Sequence, residues 1–484
     1  MDKDTTTTAL ENASTKSNQQ HVEHVPPESL RGISPEEHER LEQVLVRKID
    51  MRLMPMLVIM YIMNYLDRNN IAAARLAGLE QELKLTSTQY QLSVSILFVG
   101  YILMQVPSNM FLDKIGRPSL YLPTAMVIWG IISGATAGVT TFGGLIACRF
   151  VLGIIEAAYF PGCLFFLSSW YTRKELGFRT AILYSGSLIS GAFSGLITAG
   201  ITDGMNGLKG LLAWRWLFIV EGAATVVIAV TAYWVLPDFP KSTKWLTTQE
   251  RDLAVWRLEQ DVGEADWEGG AKENIFHGLK LAFTDGKTYV LGAILFGEVS
   301  SGSVTNFFPT VVLTLGYNPI ISLLLTAPPY VVAVITTFLN SYHADKTGER
   351  YYHVTLPLWV SIAAFILAAA TTATGPRYLA MMLMVPSVYS GYVVSLAWIS
   401  NTLPRPPAKR AAALAAINAF SNASSIWTAF AYPRSSGPRY IEAMAMNCAT
   451  AALSILAATG LRWHLARKNK KLDNEGVDGY RYLL

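Results

Sequence analysis

The chain has 484 residues, of which 51% are hydrophobic and only 15% charged, with a formal net charge of +4. Soluble domains carry about 25% charged residues, so much of this chain must face something other than water. The basic residues lie between apolar runs rather than in one patch, which excludes a nucleic-acid surface.

Residues 1–35 are rich in Thr, Ser, Asn, Gln and Glu, and 1–50 are expected to form a disordered tail. No apolar core opens the chain, so no cleavable signal peptide is expected, and the first span must direct insertion. Apolar stretches of about 20 residues, enough to cross a bilayer, follow near 54–74, 90–111, 119–139, 143–166, 179–201 and 214–236. A second set lies near 288–313, 320–340, 354–373, 378–400, 410–432 and 443–463. The pattern predicts an all-α integral membrane protein of twelve transmembrane helices in two six-helix halves, 51–236 and 287–464. Between them, 237–286 carries Lys244, Glu250, Arg251, Asp252 and Arg257 and is expected to be a soluble, partly helical connector. Residues 465–484 form a second tail. Lys and Arg are denser in the tails and in the loops after spans 2, 4, 8 and 10, which predicts that both termini and the connector are cytoplasmic. Cys148, Cys163 and Cys448 fall inside apolar segments without metal-ligand spacing and are expected to pack as small hydrophobes.

The two halves share a motif. Asp113-Lys114-Ile115-Gly116-Arg117 follows span 2, and Asp345-Lys346-Thr347-Gly348-Glu349-Arg350 follows span 8, an offset of 232 residues from 113 to 345. Repeated halves with a site between them near the midplane are a transporter plan. Asp113, Arg117, Asp345 and Arg350 are therefore expected to act as gating elements.

The Asp113 turn resembles the signature of the major facilitator superfamily, with Asn109 where that signature begins with Gly. More narrowly, Asn64-Tyr65-Leu66-Asp67-Arg68-Asn69-Asn70 in span 1 resembles the anion:cation symporter family. So does the stretch from Arg149 through Glu156 to Pro161 and Gly162 in span 4, followed by Ser169-Trp170-Tyr171. Trp214-Arg215-Trp216 with Glu221 and Gly222, and Trp398 with Asn401 and Thr402, are similar to its fungal branch of allantoate, nicotinate and pantothenate permeases. The resemblance implies proton coupling and anion recognition at the positions of Asp67, Arg68, Arg149 and Glu156. It also implies a substrate contact at Asn422.

Ionisable groups inside a bilayer are costly unless paired or hydrated, which makes them functional candidates. Arg149 and Glu156 are seven apart, on one helix face and roughly 10 Å apart along the axis. Asp67 and Arg68 point about 100° apart, so one can face the cavity while the other meets a neighbouring helix. Forked guanidinium groups at Arg68 and Arg149 suit a substrate carboxylate. Asp67 and Glu156 are the expected proton sites, coupled to the substrate through one local field. The competing reading of these charges is a set of ion pairs that only fix packing. Packing is the favoured reading of Glu221, whereas Glu298 either lines the cavity and tunes specificity or pairs elsewhere. Asn306 and Trp398, with Tyr330 and Tyr389, are candidates to touch a ring or amide of the substrate. Gly191 and Gly195 make a small-residue face on span 5, suited to close helix contact.

The expected partners are a small organic anion, a proton and the lipid bilayer, in a monomer of the plasma membrane. No P-loop pattern and no clustered ligands for catalysis occur, so no cofactor and no enzyme activity are expected. An exporter of a secondary metabolite and a carrier-derived nutrient sensor are the alternative functions.

Overall fold

A computed structural model describes residues 27–262, 275–403, 407–474 and 481–484. All regular structure among the described residues is helical. Spans 1 to 6 are the helices Pro35–Leu76, Ser87–Ile115, Pro118–Thr136, Phe142–Ser168, Arg173–Met205 and Ala213–Val235. Span 7 runs Gly286–Ser301, then Gly302–Phe307 as a tighter 3-10 segment and Phe308–Leu313. Spans 8 to 12 are Pro319–Thr347, Tyr351–Ala370, Thr374–Thr402, Pro407–Thr428 and Ile441–Asn474. Nine of these twelve are long and apolar enough to cross a membrane among the described residues. Polar residues such as Glu298 and Asn306 in span 7 and Asn418 and Asn422 in span 11 face the space between the halves.

Prolines set the breaks. In span 4, Pro161 cannot donate to the Ala157 carbonyl, and the helix divides between Glu156 and Tyr159. In span 8, Pro328 and Pro329 withhold donors from the Leu324 and Leu325 carbonyls, and the helix divides at Leu325 and Thr326. The Tyr378 hydroxyl donates to the freed Leu325 carbonyl at 3.2 Å. The repeated turns end their helices alike: Gly116 at φ 64° and Gly348 at φ 67° are left-handed caps.

Both tail expectations need correction at their inner ends. Helix begins at Pro35, not near residue 50, because the Ser34 hydroxyl accepts the Glu37 N–H at 3.2 Å and Pro35 fits the first helical position. Span 12 continues to Asn474, and residues 481–484 fold back so that the Leu484 carbonyl accepts the N–H groups of Arg350 and Tyr351. Residues 1–26 lie outside the described set. The connector holds a helix, Thr248–Val262, that docks on the first half. There Arg257 reaches Glu175 at 3.0 Å and the Trp170 carbonyl at 2.6 Å, while Lys48 meets Glu250 at 2.7 Å. Partial burial alone would raise the Glu250 carboxyl, but Lys48 and the Thr247 N–H outweigh it and hold it below its ordinary value. This tie is complete at neutral pH and is lost only as pH falls through that depressed value.

The halves meet on the face away from the termini. Phe307 stacks on Tyr432 at 4.8 Å and meets Tyr90 edge-on at 6.1 Å. Ser95 donates to the Ile426 carbonyl at 2.8 Å. On the same side, spans 5 and 8 press together where a side chain at Gly195 would strike Thr326 and the Leu323 carbonyl, and one at Gly191 would strike Tyr330. Gly195→Leu overpacks this contact by about 1–3 kcal/mol, shifting the balance toward opening on this face. In a cysteine-free background, a reporter cysteine at Asn306 should then react roughly tenfold faster with an impermeant maleimide added from that face. An unaltered rate would show that the two helices do not hold the halves closed.

Candidate functional site

Between the halves lies a small central cavity of about 90 Å³. Span 1 gives it Tyr61, Tyr65, Arg68 and Asn69, a stripe at helical spacing. Across from these, spans 7 and 11 give Glu298, Asn306, Asn418 and Asn422, and span 10 gives Tyr389 and Tyr392. Among the described residues, the charged ones in the wall are Arg68 and Glu298.

Arg68 is 7% exposed and its Nε donates to Glu156 Oε2 at 2.8 Å. Its guanidinium lies over the rings of Tyr101 and Tyr65, at 4.5 and 5.1 Å from their centroids, adding cation–π attraction. Glu156 is fully buried behind Arg68, at the break in span 4, and its Oε1 has no hydrogen-bond partner. Glu298 is also fully buried; its Oε1 accepts the Ser395 hydroxyl at 2.9 Å, and its Oε2 has no partner.

Several expected positions differ. Arg149 does not line the cavity: its Nε and Nη2 donate to the carbonyls of Ser93 and Arg68, tying spans 1, 2 and 4 together behind the wall. Spacing puts it on the face of Glu156 but at another depth, where backbone carbonyls claim it. Trp398 is not in the wall either; its indole N–H donates to the Leu483 carbonyl at 3.0 Å. Of the adjacent pair, Arg68 faces the cavity and Asp67 turns away, accepting the hydroxyls of Ser133 and Thr225 at 2.6 Å each. Glu221, read as packing, is 2% exposed and faces Asp67 and Asn70 of span 1, and neither carboxylate oxygen makes a hydrogen bond of standard length.

Asn306 and Asn422 do line the cavity. The Asn422 amide also donates to the Asn418 carbonyl at 2.8 Å. Of the gating set, Asp345 and Arg350 pair at 2.7 Å. Arg117 is exposed at the start of span 3, and the side chain of Asp113 lies outside the described set. The wall residues not singled out from sequence include Tyr61 and Asn418. The spacing 61, 65, 68, 69 on one helix, and the pair 418 and 422 on another, is the signal that would have found them. No group of three or more metal-ligating side chains occurs among the described residues.

Residues 57–429 match the Major Facilitator Superfamily. The chain belongs to this superfamily. It is 32% identical over 445 residues to the major facilitator-type transporter hxnP of Emericella nidulans, covering 90% of this chain and 88% of that one. It is 32% identical over 384 residues to a putative tartrate transporter of Agrobacterium vitis, covering 79% and 86%. Among solved structures it resembles the proton:xylose symporter XylE with a TM-score of 0.65 and 17% identity, over 85% of this chain and 95% of that one. A bacterial homologue of the lysosomal transporter Spinster gives 0.63 and 16%, over 88% and 96%. This superfamily member is a multi-pass membrane transporter and not an enzyme, with the twelve-helix fold expected from its sequence.

Removing one partner of a buried ion pair leaves the other charge uncompensated, at a cost of about 3–5 kcal/mol. Arg68→Gln should therefore lower the thermal unfolding midpoint of the detergent-solubilised transporter, and Arg68→Gln combined with Glu156→Gln should recover most of the loss. Equal midpoints for the single and double variants would show that Glu156 does not depend on Arg68.

Proposed function

We propose that this transporter is a proton-coupled carrier of small organic anions in the plasma membrane, working by alternating access with both termini in the cytoplasm. The observation that carries the reading is Arg68. Among the described residues it is the one cationic side chain in the cavity wall, set between two tyrosines and neutralised by the buried carboxylate of Glu156. A substrate carboxylate that takes over the guanidinium releases Glu156, which then has no cation beside its buried oxygens and takes up a proton. Asp67 is the second proton site, behind the wall and within electrostatic reach of Glu156. Arg149 acts by holding the backbone that carries Arg68. The Asp345–Arg350 pair and its counterpart around Asp113 and Arg117 would gate the cytoplasmic side. The relative named as a putative tartrate transporter supports an acidic cargo, and the span 1 and span 4 motifs point to the anion:cation symporter family and its fungal branch.

Uptake of a labelled carboxylate panel, nicotinate and pantothenate included, into cells lacking their own carriers tests the reading. Arg68→Lys keeps the charge and loses the fork, so the apparent affinity for every transported acid should fall roughly tenfold or more. Undiminished affinity would remove Arg68 from the site.

Glu156→Gln separates binding from coupling. Uphill uptake under an imposed pH gradient should fall to background, while counterflow at equal pH persists. Accumulation equal to that of the unaltered transporter would place the proton elsewhere.

A further inference from the structure

The second half of the cavity holds a carboxylate that the proposed function does not use. Glu298 sits in a built socket on span 10. Ser395 donates to its Oε1, and four residues earlier Gly391 leaves room, since a side chain there would come within 3.3 Å of that same oxygen. The other oxygen is buried and has no hydrogen-bond partner, in a residue that lines the cavity. A buried carboxylate with an unpaired oxygen is costly to maintain, and among the described residues no cation pairs with it. Glu298 lines the cavity, so a bound molecule can supply the missing partner.

Charge accounting says what kind of group. Arg68 is balanced by Glu156, so Glu298 is the unpaired acid of the wall. A plain carboxylate cargo exchanges places with Glu156 on Arg68 at the cost of one proton, and leaves Glu298 facing an added anion. Satisfying it would take a second proton. A cargo that brings its own N–H donor or positive nitrogen satisfies Glu298 with no further proton.

We propose that Glu298 receives a positively charged or N–H-bearing nitrogen of the substrate, so that the cargo is a small carboxylic acid that also carries such a nitrogen. This rests on the organic-anion reading and narrows it: Arg68 takes the carboxylate, Glu298 takes the nitrogen, and the tyrosines between them enclose the body of the molecule.

Matched pairs differing only at the nitrogen test it: piperidine-3-carboxylate against cyclohexanecarboxylate, and β-alanine against propionate. Each is measured as labelled uptake by the full-length protein. The nitrogen-bearing member should be preferred in kcat/KM by roughly tenfold or more, the scale of one charge-assisted hydrogen bond. Glu298→Gln should bring the ratio close to one, and Ser395→Ala should lower it part of the way. A ratio near or below one in the unaltered protein, or a preference untouched by both variants, overturns the proposal. The comparison in the unaltered protein needs no variant, so poor folding of Glu298→Gln cannot mask the result. Uptake of the carbocyclic and alkyl acids alone would leave the organic-anion reading standing and sink this one. Uptake of no acid at all would sink both.

Discussion

A guanidinium buried between membrane helices must be paired, and the Arg68–Glu156 contact at 2.8 Å is how this fold meets that demand. Much of the first half is arranged around it. Tyr65 and Tyr101 sandwich the cation. Arg149 spends two donors on backbone carbonyls, one of them that of Arg68 itself, which fixes the segment of span 1 bearing the pair. The break in span 4 follows directly after Glu156, so this carboxylate sits at a helix end whose geometry Pro161 dictates. Two charges therefore reach the protein interior in one fixed geometry, and the cavity receives a cation whose orientation is set before any ligand arrives.

Packing divides the molecule into parts that stay together and parts able to separate. Within the halves, glycines bring helices into backbone contact: a side chain at Gly153 would strike the Leu97 carbonyl, and one at Gly222 the backbone of Gly130 and Gly134. Interiors packed this closely do not deform gradually. Between the halves, Gly191 and Gly195 of span 5 lie against Tyr330 and the Leu323 carbonyl of span 8, and further contacts include the rings of Tyr90, Phe307 and Tyr432 and the Ser95 hydrogen bond. Such contacts can part without opening either half. The docked connector helix belongs to the first half, through Arg257 and Glu250.

The fold was legible because the bilayer leaves few alternatives: a span must be long, apolar and helical, and the repeated Asp-Lys-x-Gly turn marks the halves. The site was legible by residue type more than by position. Asn306, Asn422 and Arg68 stand in the wall; of the two neighbours of Arg68, Asn69 faces the cavity with it, whereas Asp67 turns to the hydroxyls of Ser133 and Thr225 on spans 3 and 6. Arg149 was misplaced because spacing fixes a face but not a depth, and at its depth the carbonyls of Ser93 and Arg68 are the nearer acceptors. Trp398 could not be assigned locally, since its partner is Leu483, 85 residues along the chain. The tail at 1–50 was drawn too long because its composition hides the Ser34-Pro35-Glu36-Glu37 helix start.

The distribution of acids between the halves carries one more step. Asp67, Glu156 and Glu221 are all buried in the first half, and Glu221 lies beside Asp67 with no hydrogen bond of standard length. Two carboxyl groups so placed cannot both be ionised cheaply, so protons held there interact with one another. The second half offers the cavity one acid, Glu298, with a hydroxyl on one oxygen and nothing on the other. On the proposed function this asymmetry is a division of labour. Proton exchange belongs to the half whose acids sense each other and Arg68, and discrimination among acids belongs to the half whose single carboxylate waits for a donor. A carrier built this way could change its cargo through substitutions in spans 7 and 10 while leaving the coupling groups of spans 1, 4 and 6 untouched.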